Sequence, residues 1–436
     1  MFIKINSVDI NKNRIDVNFT TDIGSENAGG GYFKEDIPFF CEYSEDIGNT
    51  PQSIAVIPFI VQVLPIIWLF DATLIVYELD KHFYDCMEKI KEGYIKMYPE
   101  AKFLGNINVK KIIDNDYVPI DKTTVFFSGG LDAFHTLTRH LEEKPDLITI
   151  WGSDLHITDI EGWENVKATV QKVGKEYGLK NVFIKSSFAD FLEERKLSSK
   201  FWDVVHGFWY HNIQHGIGML GLIAPYVYQY KVKVHYIASS YDDKKIKIEC
   251  ASDPSIDNNL KIASCKIIHD AFGFTRQDKI SDIIQYRRNH NKAMSLRVCW
   301  AVKDGNNCCR CEKCYRTICG IIVECEDPIA YNFPLTKEIL KEMKEFLTMR
   351  CEYNQVVKSF WLDIQQRFIQ NRHGIKKQKK YYKYVSWLEG FNFDDLESNN
   401  IYKTYKRKIK IKAVLCRVMP KWLKNMLKKV FRLKKS

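Results

Sequence analysis

From about residue 118 onward, short β-rich runs alternate with segments whose apolar residues recur at helical spacing, and this alternation limits the possible folds more than any other feature. TTVFF precedes LDAFHTLTRHLEE, whose apolar residues fall at 131, 134, 137 and 141. LITIW (147–151) precedes IEGWENVKATVQKVGKEYG, a helix expected to end at Gly178. NVFIK, a helix through GMLGLIAPYVYQY, and KVHYIAS (233–239) continue the series. Strands separated by helices of this length imply a parallel sheet with right-handed crossovers. Ligands of such sheets bind beyond the carboxyl ends of the strands, where helices begin.

The flanking text differs. Residues 1–117 read as an α+β domain: a strand pair in MFIKINSVDINKNRIDVNF, an apolar run, a further strand in ATLIVYEL and a helix over DKHFYDCMEKIKEGYIKMY. The apolar run IAVIPFIVQVLPIIWLF (54–70) holds two prolines and a glutamine and is shorter than the roughly 20 apolar residues of a membrane span. A buried helix or strand pair is expected there. After residues 118–330, amphipathic helical text dominates 331–400, including LTKEILKEMKEFLTMRCEY, and 401–436 form a basic tail.

The charge lies in that tail. The whole chain has 65 Lys and Arg against 54 Asp and Glu, a net +11, yet residues 401–436 contain 14 basic and no acidic residues. The remainder carries 51 basic and 54 acidic residues, a net −3. The fold proper therefore offers no spread-out nucleic-acid-binding charge. On a helical wheel Trp422, Leu423, Met426, Leu427, Val430 and Phe431 fall together with Lys421, Lys424, Lys428, Lys429 and Arg432 around them. Such a segment suits an anionic membrane surface; RNA phosphates, or packing on the protein itself, are the alternatives. The thirteen cysteines, an odd number, and the absence of a charged-then-apolar leader point to a cytoplasmic protein, with the tail as its route to the inner membrane face.

Two motifs carry chemistry. Ser128-Gly129-Gly130 sits between TTVFF and the helical stripe. Glycines there let backbone N–H groups approach phosphate oxygens, and a helix N-terminus favours negative charge. The plainer reading is a strand-to-helix turn with Ser128 as N-cap. Neither a GxxxxGK[ST] nor a GxGxxG pattern fits. The second motif is CWAVKDGNNCCRCEKCYR, in which Cys299, Cys308, Cys311 and Cys314 have the spacing C-x8-C-x2-C-x2-C. Two-residue gaps form the tight knuckle that points neighbouring sulfurs at one Zn²⁺. Cys309 is an alternative to Cys308, and an iron–sulfur cluster uses the same number of thiolates.

The stretch SGGLDA resembles the SGGxDS signature of the PP-loop ATP pyrophosphatase superfamily, whose fold is a HUP-like parallel sheet. Together with the cysteine spacing it resembles the 7-cyano-7-deazaguanine synthases and their relatives over residues 120–325. The resemblance implies that ATP binds through Ser128, Gly129, Gly130, Leu131, Asp132 and Ala133, with Asp132 positioning phosphates or Mg²⁺ and zinc playing a structural part. It implies that a substrate carboxylate or carbonyl oxygen on a small molecule or glycan precursor is adenylated, pyrophosphate leaves, and ammonia, an amine or sulfur displaces AMP. Lys279, in FTRQDKISDII, becomes a candidate phosphate contact, although a Lys at a helix start is ordinarily exposed. Ala133 stands where the family has Ser. FWYHNIQHGIGML has His206, His211 and His215 nearby instead of an Arg-Asn pair. These departures imply a different substrate and keep two alternatives in view: an RNA-modifying relative and a weakened nucleotide-binding module that recruits a partner.

Overall fold

The computed structural model describes residues 1–25, 31–242, 248–292, 294–299, 306–400, 402–404, 406 and 407, excepting the side chain of 397. The apolar stripe read in the basic tail therefore lies outside the described residues. The chain forms two compact units, Met1–Cys308 with Ala330–Asn332, and Cys309–Ile329 with Phe333 onward.

The first unit is built on one sheet of eleven strands. In chain order these are β1 Phe2–Ile10, β2 Arg14–Thr21, β3 Phe39–Tyr43, β4 Thr73–Asp80, β5 Asn106–Ile113, β6 Thr123–Phe126, β7 Asp146–Trp151, β8 Asn181–Ser186, β9 Val234–Ala238, β10 Lys261–Ile262 and β11 Cys265–Asp270. Their spatial order is β10-β11-β9-β6-β7-β8-β3-β2-β1-β4-β5. β11, β9, β6, β7 and β8 are mutually parallel, as the strand–helix alternation requires. The strand pair expected at the N-terminus is the antiparallel β1–β2 ladder, with Val8 opposite Val17 and Ile10 opposite Ile15. β3 runs antiparallel to both β2 and β8, so the strands before residue 117 continue the same sheet rather than forming a separate one.

The apolar run folds as the helix Ile57–Leu69, preceded by a short turn of helix at Gln52–Ala55. Apolar residues all round a helix require burial on every side, and every residue from Ile57 to Trp68 is buried. Gln62, the polar exception, donates to the Pro58 and Gly218 carbonyls and accepts from Gln214. Gly221 lets the neighbouring helix close in: a Cβ there would stand 2.2 Å from a Val61 methyl. Among the described residues no helix is long and apolar enough to cross a membrane.

The second unit is helical. Its core gathers Ile318, Ile322, Met343, Leu347, Trp361 and Phe368 from the helices Glu312–Val323, Lys337–Met349 and Gln355–Lys377. Trp361 donates its indole N–H to Glu312 at 2.9 Å.

One buried side chain gives the first unit a pH dependence. His235, on β9, is fully buried, with Nδ1 2.8 Å from the Thr124 hydroxyl and its ring against Phe126. Burial pushes its pKa down to about 3, against about 6.5 in an unfolded chain. Between these values the unfolded state binds the extra proton. Stability is thus fully present above pH 6.5 and falls as the pH drops toward 3, by up to about 1.4 kcal/mol per pH unit from this group. His235→Phe should reduce the slope of unfolding free energy against pH, measured by urea titration between pH 4 and 6.5, by about one proton; an unchanged slope would show that His235 is not held neutral.

Candidate functional site: the loop after β6 and the four-cysteine group

β6 lies between β7 and β9. The chain leaves β6 toward β7 and β8 on one side and later returns to β9 and β11 on the other. The connections therefore diverge beyond the carboxyl end of β6, which is the topological switch point where open parallel sheets form a crevice. Ser128-Gly129-Gly130 occupies that point. Gly129 adopts φ +76°, a left-handed conformation that glycine takes without strain. Gly130, in extended conformation, is the N-cap of the helix Leu131–His140, and no side chain caps it. Ser128 is exposed and its hydroxyl accepts a long 3.4 Å bond from the Gly130 N–H. The plainer expectation, Ser128 as N-cap, is not what is found. Ala133 is buried.

Asp132, in the first turn of that helix, meets two cations. Arg276 Nη1 donates to its Oδ2 at 3.1 Å and Lys279 Nζ to its Oδ1 at 3.2 Å. The ammonium of Lys279 also donates to the Ser239 carbonyl just beyond β9, at 2.5 Å. It thus joins the two strand ends that flank the switch point. Arg276 and Lys279 share a face because they are three residues apart on the helix Arg276–His290. A capping box starts that helix: the Thr275 hydroxyl accepts from Asp278 N–H, and the Asp278 carboxylate accepts from Thr275 N–H. Lys279 is only 1% exposed, correcting its expected exposure at a helix start, and Arg276 is buried too.

Arg297 completes the surroundings. Its backbone N–H donates to the Gly129 carbonyl at 2.8 Å. Among the described residues the Nε atoms of both Arg276 and Arg297 are buried without a hydrogen-bond partner. Buried guanidinium N–H groups without acceptors are unfavourable, so the two cations on Asp132, beside a glycine loop that the Arg297 backbone holds, form a place suited to an oxyanion ligand.

His206 ends the helix Glu194–Val205 in a left-handed conformation, φ 50°, and is exposed. His211 sits on the π-helical turn Tyr210–Gln214. His215 follows it, edge-on to the Tyr210 ring, with burial lowering its pKa. Arg276, through its side chain on Asp132, and Arg297, through its backbone on Gly129, are the further residues brought to this region. Arg276 had a signal in its i, i+3 relation to Lys279 behind a capping Thr; Arg297 had none, since its meeting with Gly129 spans the whole parallel half of the sheet.

The sulfurs of Cys299, Cys308, Cys311 and Cys314 all lie within 4.8 Å of one another. Tetrahedral zinc with bonds of about 2.3 Å places its sulfurs roughly 3.8 Å apart. None of the described cysteines is in a disulfide. Cys311 is the N-cap of the helix Glu312–Val323 and Cys314 lies in its first turn. Cys309, at φ 52°, reverses the chain between Cys308 and Cys311; Cys308, not Cys309, belongs to the group. The donor set fits a metal such as zinc. Four thiolates close its coordination, so such a centre is structural rather than catalytic. Compared with protein-family models, curated proteins and solved structures, the chain finds no match.

Proposed function

We propose that the protein is a PP-loop nucleotide-binding enzyme that uses Mg²⁺·ATP to adenylate an oxygen of a small-molecule or glycan-precursor substrate, in the manner of the 7-cyano-7-deazaguanine synthases it resembles. The observation that carries this reading is the glycine loop at the switch point, with buried Lys279 and Arg276 converging on Asp132. The N–H groups of the loop and of the helix start receive the phosphates. Arg276 and Lys279 offset the charge that grows on pyrophosphate as the α-phosphorus–oxygen bond breaks. The substrate oxygen takes that bond, and a nucleophile then displaces AMP.

Asp132 acquires a more specific part than the resemblance implies. With both oxygens engaged by cations, it holds Arg276 and Lys279 in place beside the loop before any ligand arrives.

Binding and product analysis test the proposal. Mg²⁺·ATP and Mg²⁺·pyrophosphate should both bind by titration calorimetry, and Lys279→Ala should weaken both by about 10- to 100-fold, the range for a hydrogen bond to a charged group. Incubated with Mg²⁺·ATP and a small-molecule extract, the wild type should release AMP and pyrophosphate. ADP and phosphate as products would refute the reading. Tight binding without turnover would favour the recruitment module, for which the missing hydroxyl at Ala133 speaks.

A further inference from the structure

The segment that carries the first metal ligand is the segment that holds the glycine loop. Arg297 N–H bonds Gly129 O at 2.8 Å, and a Cβ built on Gly129 would touch the Arg297 Cβ at 3.6 Å. A Cβ on Gly130 would touch the Arg297 carbonyl at 3.7 Å. Two residues further on is Cys299. Besides the bond from Leu296 N–H to the Tyr331 carbonyl at 3.3 Å, this short stretch is held by the side chain of Asn307, which is 5% exposed. Its Oδ1 accepts from Val298 N–H at 2.9 Å, and its Nδ2 donates to the carbonyls of Leu296 and Asn332, each at 2.8 Å. Asn307 therefore grips the chain on both sides of Arg297 while standing next to Cys308.

We propose that Asn307 is a positioning residue that couples occupancy of the four-cysteine centre to the shape of the glycine loop, and that Arg297 is the side chain it delivers to the anion site. This rests on reading the loop as a nucleotide site. Metal bound to Cys299 and Cys308 fixes the two chain segments that Asn307 ties together, and the Arg297 backbone passes that constraint to Gly129. A site braced by metal binds its ligand without first ordering the loop, so ligand and metal strengthen each other. Such coupling is reciprocal: whatever factor metal adds to ligand affinity, ligand adds to metal affinity.

The test compares full-length wild type with Asn307→Ala and Arg297→Ala, each metal-loaded and after graded chelation. The readouts are metal content, hydrogen exchange at the amides of Arg297 and of residues 130–134, and pyrophosphate binding. Metal-loaded Asn307→Ala should keep about one metal per chain, exchange the Arg297 amide about tenfold faster and bind pyrophosphate about tenfold more weakly, within the usual range of coupling between sites. Arg297→Ala should lose pyrophosphate affinity to at least the same degree while keeping the exchange protection of its own backbone. Saturating pyrophosphate should raise metal affinity in wild type by the factor that metal adds to pyrophosphate affinity.

Unchanged exchange and unchanged pyrophosphate affinity in metal-loaded Asn307→Ala would overturn the coupling. If the wild type binds neither pyrophosphate nor ATP, it is the nucleotide reading that fails. Exchange alone then decides the brace, and protection of Arg297 that survives chelation would reject it. Should Asn307→Ala fail to fold, Asn307→Asp, which keeps the acceptor for Val298 but loses both donated bonds, takes its place in the same comparison.

Discussion

Asp132→Ala is expected to lower the free energy of unfolding by about 3–5 kcal/mol, the cost of leaving buried charge without its partner. The size follows from the partners. Lys279 and Arg276 are both buried and both donate to this one carboxylate, and the alanine leaves two positive groups side by side. A surface ion pair would cost no more than about 1 kcal/mol, so urea unfolding separates the two cases, and a loss of 0.5 kcal/mol or less would show that Asp132 does not balance buried charge. A second signature distinguishes an anion site from a merely structural ion pair. Pyrophosphate supplies the missing negative charge, so it should raise the melting temperature of the variant more than that of the wild type. The ATP turnover proposed above should nevertheless be lost, because Arg276 and Lys279 are no longer held by their carboxylate.

Cys311→Ser is expected to release the metal and to lower stability by more than about 3 kcal/mol, since a structural metal contributes its binding free energy directly to folding. A serine hydroxyl is not deprotonated at neutral pH and is a poor fourth ligand. The loss of Cys311 also falls at the N-cap of the helix Glu312–Val323, so the site and the helix start are disturbed together. Purified wild type should carry about one metal ion per chain, measured by elemental analysis. Cys309→Ser should retain it, because Cys309 is not one of the four converging sulfurs. Wild type that is metal-free and equally stable would remove the centre from the description of this protein.

Local patterns in the sequence anticipated the elements themselves. The stripe at 131, 134, 137 and 141 is the helix Leu131–His140 with Leu141 opening the 3-10 turn that follows, and the helix expected to stop at Gly178 does so through a left-handed residue there, φ 67°. The C-x8-C-x2-C-x2-C spacing brought four sulfurs together because two of its three gaps are short enough to be local geometry. What local pattern could not convey was pairing over distance. FFCEY carries no mark of its partner at 184–186, and Arg297 none of its bond to Gly129. The burial of Lys279 is not legible in the sequence for a related reason. A lysine at a helix start is exposed by default, and only the convergence of Asp132 and the Ser239 carbonyl makes its burial tolerable.

The placement of β3 also bears on how the chain is made. Cys41 on β3 lies beside Ser186 on β8, 145 residues later in the sequence. At translation rates of about 5–20 residues per second, roughly 7–30 s separate the synthesis of the two. During that interval one edge of β3 has no strand to pair with, and Phe39 and Tyr43, fully buried in the finished fold, await their cover. An unpaired apolar edge is a template for wrong association. The nascent protein is therefore most exposed to aggregation, and most dependent on chaperones, between the emergence of β3 and that of β8.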